Sequence, residues 1–254
     1  MSWIPSYKKP AGGSSYVPCD WSTGTDEEIV EALEQHYAGN CDLHEYWSVG
    51  DERTVSLSAI TGSPNVSENQ SAQNIILVIT EIGGKTLADG TTECCFQIDQ
   101  KNSLTTEGYM NGGNNNVNGW SGSSRRTWCN DQYYNAFPST LKSIFKQFIN
   151  KSGQGSGSSS GTYDTTDYFA LRAEIEITGS TNYSVSGEGT QIEWYKTSSN
   201  RIKTGNFFSN ANEYWLRSPS NFDQRFNYIS GSGTCTVYNG YASQQRGIAP
   251  FGVI

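Results

Sequence analysis

The chain has 254 residues, enough for one large domain or two small ones with a sizeable core. Hydrophobic residues are only 35% of it but aromatics reach 13%, so the core is expected to be aromatic-rich, with Tyr and Trp hydrogen-bonding at its margins. Net charge is −8 and no basic run exceeds Lys8-Lys9 or Arg125-Arg126, which argues against nucleic acid as a partner; no apolar run is long enough for a membrane span, and no secretory h-region follows Met1.

Residues 1–20 carry Pro5, Pro10, Pro18 and Gly12-Gly13 and read as an extended arm. Thr25–Gly39 is a helix: Thr25 with Glu28 forms a capping box, acids fill the first turn, Gly39 is the stop, and Ile29, Leu33 and Tyr37 share a face. Tyr46–Ile60 predicts two strands around a Gly50-Asp51 turn, with Val55, Leu57 and Ala59 alternating. Asn74–Ile82 is apolar enough for a central strand. The stretch 99–119 reads as a polar loop. Ser123–Phe137 is expected to be a second helix capped by Ser123 or Ser124, and Pro138–Ile149 a third, from the spacing of Leu141, Ile144, Phe145 and Phe148. Ser152–Gly161 is a flexible insertion. Strands are expected over Tyr168–Ile177, Thr190–Lys196, Tyr214–Ser218, Phe226–Ile229, in "TCTVY" and in the closing "IAPFGVI".

The chemistry-bearing residues are sparse. Without an export signal, Cys19, Cys41, Cys94, Cys95, Cys129 and Cys235 are expected to be free thiols, mostly packed as small apolar groups. There is no C-x-x-C, and both histidines lie far from most cysteines in sequence, so no metal and no cofactor is expected. His36 and His44 have no Ser or Cys in a nucleophile motif beside them and read as structural or surface residues. Glu174 and Glu176 fall on one face of the expected strand, with Glu188 and Glu193 following. A paired-carboxylate hydrolase could start from such a set, but a solvated face or an ion pair with Arg172, Arg201 or Lys203 is the simpler reading. Arg217, between aromatics and a proline, reads as a buried residue holding the fold through carbonyls or a carboxylate, and Arg125-Arg126 as its counterpart.

Eight stretches occur in consistent order over about residues 20–254: "GTDEEIVEALEQHYAG", "YWSVGDERTVSLSA", "GWSGSSRRTWCND", "FPSTLKSIFKQF", "YFALRAEIEITGS", "RIK", "YWLRSPS" and "GIAPFGVI". Together they resemble the WLRSP-type domain of phage structural proteins and bacterial surface proteins. The resemblance implies an α+β, C-type-lectin-like fold with mixed or antiparallel sheets, two or three helices and many loops. It also implies that the chain returns near its end as a short sheet whose exposed face binds a target, a face that diversity-generating retroelements rewrite in some relatives. "WCND" (Trp128–Asp131) is similar to the calcium tripeptide of true C-type lectins, but its partner tripeptides are absent, and a formylglycine-generating enzyme would need a cysteine pair where only Cys235 stands.

On this resemblance the arm is 1–20 and the domain 21–254, with 214–254 as the display region. Framework positions are Trp215, Leu216, Arg217, Ser218, Pro219, Phe226, Ile229, Gly233, Ala242, Gly247 and Pro250. Display positions are Asn221, Asp223, Arg225, Asn227, Tyr228, Ser230, Ser232, Thr234, Thr236, Tyr238, Asn239, Tyr241 and Gln244. Their Tyr, Ser, Thr and Asn content is that of a paratope, in which Tyr offers large area at low entropy cost. Tyr228, Tyr238 and Tyr241 are expected to be exposed together. The expected function is non-enzymatic: a phage tail or fibre protein in the virion, binding a host-surface protein or glycan. Its arm would dock to other virion proteins or to sister subunits, a trimer suiting a fibre tip. A bacterial surface adhesin, or an enzyme acting on carbohydrate or protein, are the alternatives.

Overall fold

A computed structural model of the chain describes residues 16–61, 69–90, 92–156, 161–204, 213–222, 224–238 and 240–254. In chain order its elements are α1 (Asp26–Tyr37), β1 (Glu52–Leu57), β2 (Gln73–Ile82), β3 (Phe96–Gln100), α2 (Ser124–Trp128), α3 (Ser139–Lys142), β4 (Phe148–Gly153), β5 (Thr162–Asp167), β6 (Phe169–Ala170), α4 (Glu174–Thr178), β7 (Tyr214–Pro219), β8 (Phe226–Ile229), β9 (Cys235–Thr236) and β10 (Phe251–Val253). The fold is α+β. Most of the expected arm, residues 1–15, lies outside the described residues.

Local chemistry starts α1. The Glu28 amide donates to Thr25 Oγ1 at 3.3 Å and the Thr25 amide to the Glu28 carboxylate at 2.8 Å, so two of the helix's orphan donors are satisfied. Ile29, Ala32 and Leu33 are buried; Tyr37, expected on that face, is exposed. α2 is capped by Ser123, whose hydroxyl accepts from the Arg126 amide at 3.1 Å, and continues as a π-helical turn over Cys129–Tyr133. Asn130 in that turn is a tie: its side chain donates to the carbonyls of Arg126 and Phe169 and accepts from the Tyr168 amide.

The main sheet runs β1-β2-β3-β10-β6 with antiparallel pairing throughout. β10, the last strand of the chain, sits between β3 and β6. One core joins Ile29 and Leu33 of α1, Ile75, Leu77 and Ile79 of β2, Trp128, Tyr133, Phe137 and Phe169, and the C-terminal residues Trp215, Phe226, Tyr228, Phe251 and Val253. Residues before and after the 152–161 insertion therefore share a single apolar interior. Two smaller sheets, β4-β5 and β7-β8-β9, complete the architecture.

Four expected elements come out differently. Tyr46–Val49 is not a strand; the Tyr46 and Trp47 amides donate back to the Leu43 carbonyl and close a turn. The third helix stops at Lys142. Beyond it Lys146 donates to the Val253 carbonyl and Ile149 to that of Thr86, and β4 pairs with β5, so long-range backbone bonds take over the second half of an amphipathic pattern. The strand expected over 168–177 is β6 followed by α4, and 190–196 contains a 3₁₀ turn, Glu193–Lys196.

Candidate functional site

The C-terminal sheet rests on buried charges. Arg217 of β7 is fully buried; its guanidinium donates to the carbonyls of Lys151 (3.0 Å), Leu171 (2.9 Å) and Glu188 (2.6 Å) and to Glu176 Oε2 (2.5 Å). Glu176 also receives Lys85 Nζ at 2.6 Å and caps α4 by accepting from the Ala173 amide at 2.9 Å. Burial by itself raises the Glu176 carboxyl; Arg217, Lys85 and Arg172 outweigh it and hold the group well below the usual carboxylate range. Burial pulls Lys85 down to about 8 against the attraction of Glu176. Glu188 is shifted up by burial, and accepts from Ser218 Oγ at 2.5 Å and from the Gly153 amide at 2.8 Å. Glu174 accepts from the amides of Asn182 and Tyr183 and from Ser184 Oγ. Beside these, Arg172 grips Asp99 and lies 3.6 Å from the Phe251 ring centre.

The acidic set is thus carried by a short helix and its flanking loop rather than by a strand, and Glu174, Glu176 and Glu188 are buried. Of the ion-pair partners expected for Glu176, only Arg172 stands near, at 4.0 Å; Arg217 and Lys85 are the close ones. Glu193 is paired with Lys196 at the surface. Arg217 has the fold-holding role read from the sequence. Arg125 is likewise buried and donates to the Tyr109 carbonyl, while Arg126 binds Asp167 at 2.6 Å.

Upon this base β8 is the middle strand, paired with β7 (Tyr214↔Ile229, Trp215↔Tyr228, Pro219↔Phe226) and with β9 (Tyr228↔Thr236, Ile229↔Cys235). Both of its faces are covered. Phe226 and Tyr228 enter the main core; Ile229 joins Ile177, Ile192, Tyr195, Tyr214 and Leu216 on the other side, where Asn227 donates to Glu174 at 3.2 Å. Asn227 and Tyr228 are therefore corrections to the display set. Tyr228 is only 6% exposed, its hydroxyl donates to the Tyr238 carbonyl at 2.6 Å, and the Arg246 guanidinium lies 3.8 Å from its ring centre. Isolation among small polar residues, which suggested an uncovered ring, fails because the covering groups, Trp215 and Arg246, come from other segments.

The remaining described display positions lie before β8, in the turn after it and in the segment that runs back beside it. The segment after β8 turns at Gly233, whose φ of +80° suits glycine, and runs back beside it. Thr236 faces Tyr228, the Phe226 amide donates to the Gly240 carbonyl, and Tyr241 bridges to Arg225. Ser232 and Thr234 are exposed and Ser230 half-buried at the turn, their hydroxyls within 2.8–3.2 Å of one another. Tyr238 is 75% exposed partway along. At the far end Arg225 lies 5.2 Å from the Phe222 ring and 4.7 Å from that of Tyr241, with Nη2 donating to the Tyr241 hydroxyl at 3.1 Å. Thr236, Tyr241 and Gln244 are half-buried, Asn221 is exposed, and Asp223 and Asn239 lie outside the described residues. From Arg225 to Ser230 the ridge spans about 16 Å at the rise of an extended strand.

Sequence reading missed two contributors here. Phe222 is 50% exposed and adds an aromatic to the ridge. Asn116, in the polar loop, is buried; its amide donates to the carbonyls of Phe222 (3.0 Å) and Arg225 (2.9 Å) and fixes the loop that carries them. A lone Phe in a polar run was the signal for the first. Nothing local marks the second.

A separate cluster stands at the end of α1. His36, His44 in the 3₁₀ turn Leu43–Glu45, and Cys95 just before β3 each bring a ligand atom within 4.8 Å of the others. The histidines lie close to one cysteine that is distant in sequence, because the turn after α1 folds back against the start of β3. Burial lowers His36, with His44 adding to the effect, and burial pushes the Cys95 thiol up. All six cysteines are free; Cys94, Cys95 and Cys129 are buried and the other three half-buried. No described helix is long and apolar enough to cross a membrane.

No curated protein and no solved structure matches the chain. Residues 98–253, well over half of the sequence and including the buried charge network's Asp99, Arg172, Glu176 and Arg217 with the whole C-terminal ridge, match the family described as Domain of unknown function (DUF6273), and the chain belongs to that family.

Proposed function

We propose that the protein is a non-enzymatic binding protein, a phage tail or fibre receptor-binding domain with a C-type-lectin-like arrangement, and that it recognises a host-surface protein or glycan along the ridge from Asn221 to Gln244. The observation that carries this reading is Tyr238, 75% exposed in the turn that follows β9, beside a strand, β8, that is buried on both faces. An exposed Tyr whose backbone is tied to a buried neighbour, as the Tyr238 carbonyl is to the Tyr228 hydroxyl, adds little to folding through its ring but presents a large amphipathic surface at low entropy cost. Phe222, Arg225 and Tyr241 extend it with an aromatic–guanidinium stack, and the Ser and Thr hydroxyls around the turn add adaptable hydrogen bonding. The order of the motifs around "YWLRSPS" supports the phage assignment.

Binding of the purified full chain to panels of bacterial cells tests the reading. Tyr238→Ala combined with Phe222→Ala is expected to weaken binding by about 2 kcal/mol or more, roughly 30-fold, with the melting temperature unchanged. Retained binding in that double variant, or no binding of the unmodified chain to any cell surface, would overturn it.

A further inference from the structure

The cluster at the end of α1 has the donors and geometry of a transition-metal site. We propose that His36, His44 and Cys95 bind one zinc-like ion, with Asp42 orienting both imidazoles.

Three observations carry it. First, the donor set is chemically matched: two imidazoles and a thiolate are the ligands of borderline-soft ions such as Zn²⁺, whereas an all-oxygen set would suit calcium or magnesium. Second, His44 Nε2 and Cys95 Sγ stand 3.5 Å apart. Two ligands on one tetrahedral ion, with Zn–N near 2.0–2.1 Å and Zn–S near 2.3 Å, are separated by about 3.5 Å. The three ligand atoms lie within 4.8 Å of one another, so closing the set takes a shift of roughly 1 Å in the loosest pair. Third, the carboxylate is in place. Asp42 Oδ1 is 3.2 Å from His44 Nδ1 and 4.0 Å from His36 Nδ1. Metal-bound histidines commonly give their other N–H to such a carboxylate, which fixes the tautomer and the ring angle.

Both rings thus turn their Nδ1 edge toward Asp42, which leaves Nε2 as the ligating atom. At His36 the Leu43 amide donates to Nδ1 at 3.2 Å, so the neutral ring without an ion carries its proton on Nε2. On coordination that proton is lost from Nε2, Nδ1 takes one up, and the ring swings from the Leu43 amide to Asp42. The Cys95 thiol gives its proton to solvent. With three protein ligands the ion keeps a fourth position, and it faces outward because His44 is exposed while Cys95, 3% exposed, closes the inner side. The same burial argues against Cys95 as a nucleophile, which would need to meet its substrate.

The test is titration of the reduced full chain with Co²⁺, read by absorption, followed by displacement with Zn²⁺. One equivalent is expected, with a near-ultraviolet sulfur-to-cobalt band and tetrahedral visible bands, both bleached by Zn²⁺. His44→Ala, at an exposed position, is expected to keep the fold and weaken binding at least ~100-fold, and Asp42→Asn to weaken it ~10–100-fold. Cys95→Ser should remove the sulfur band. Cys94→Ser should change nothing, because that thiol points to the Gly83 carbonyl instead. Absence of stoichiometric binding, octahedral cobalt without the sulfur band, or full affinity in a folded His44→Ala variant would each overturn the proposal.

Discussion

The interior of this protein is built in two ways. Where α1 and the aromatic residues pack on the five-stranded sheet it is mainly apolar: Ile29, Leu33, Ile75, Ile79, Phe96, Phe137 and Phe169 with four of the buried tryptophans, Trp21, Trp47, Trp120 and Trp128. Around α4 and β7 the apolar cluster is small, limited to Ile177, Ile192, Tyr195, Tyr214, Leu216 and Ile229, and the space beside it is filled by Arg172, Arg217, Lys85, Lys203, Asp99, Glu174, Glu176 and Glu188. The first region tolerates imperfection, since a lost methyl group costs only its own burial and a cavity. The second does not, since a buried charge that loses its partner keeps the whole cost of leaving water. The charged region is also the one that holds the C-terminal ridge still, through Arg217, Ser218 and Asn227.

That contrast can be broken most directly at Arg217. Arg217→Ala takes the guanidinium away from Glu176, which keeps Lys85, and from three buried carbonyls, and is expected to cost about 3–5 kcal/mol in urea unfolding. A loss below ~1 kcal/mol would show the network to be dispensable. In the apolar region Ile79→Val should cost only about 0.5–1.5 kcal/mol, measured the same way.

Proton linkage separates the two regions by another route. Glu176 is held far below its ordinary 4.5, so as pH falls the unfolded chain takes up this proton first. The stability this carboxylate contributes is complete above about pH 4.5 and is lost progressively below it. Lys85 and Lys203 are pulled by burial from 10.5 to about 8. Between about pH 8 and 10.5 the unfolded chain binds more protons, so their contribution makes stability rise with pH. Urea midpoints against pH should show both slopes, and Glu176→Gln, if it folds, should flatten the acid limb and, because Lys85 loses the carboxylate that holds its pKa up, start the alkaline limb at lower pH.

The smallest effects belong to the surface. Thr25→Ala removes one side of the capping box and should cost about 1 kcal/mol by thermal unfolding. Tyr238→Ala should change stability by less than ~0.5 kcal/mol, whereas Tyr228→Ala, in the same polar run but with its ring buried against Trp215 and Arg246, should cost about 3–5 kcal/mol.

α1 and β2 were legible in the sequence because their signals are local: a capping box with its glycine stop, and an apolar run too long for an exposed strand. β7 and β8 were legible from aromatic content and alternation. α4 was not. "AEIEI" alternates with the period of a strand, and what makes it a helical turn is Glu176 accepting from the Ala173 amide while Lys85 and Arg217, far away in sequence, meet its charge. The third helix was cut short for the same kind of reason, as Val253 and Thr86 supplied backbone partners that no local window contains.

For the candidate site, composition alone marked the stretch from Asn221 to Gln244 as a polar, tyrosine-bearing segment, since that property belongs to the residues themselves. Which tyrosines face outward was decided by the tertiary structure. Tyr228 sits on a strand covered on both faces and Tyr238 in the turn beyond β9, and being covered depends on what other segments bring, here Trp215 and Arg246. The His36–His44–Cys95 cluster is the extreme case. Its cysteine lies 51 residues from the nearer histidine, and only the fold of the turn after α1 against β3 places them side by side.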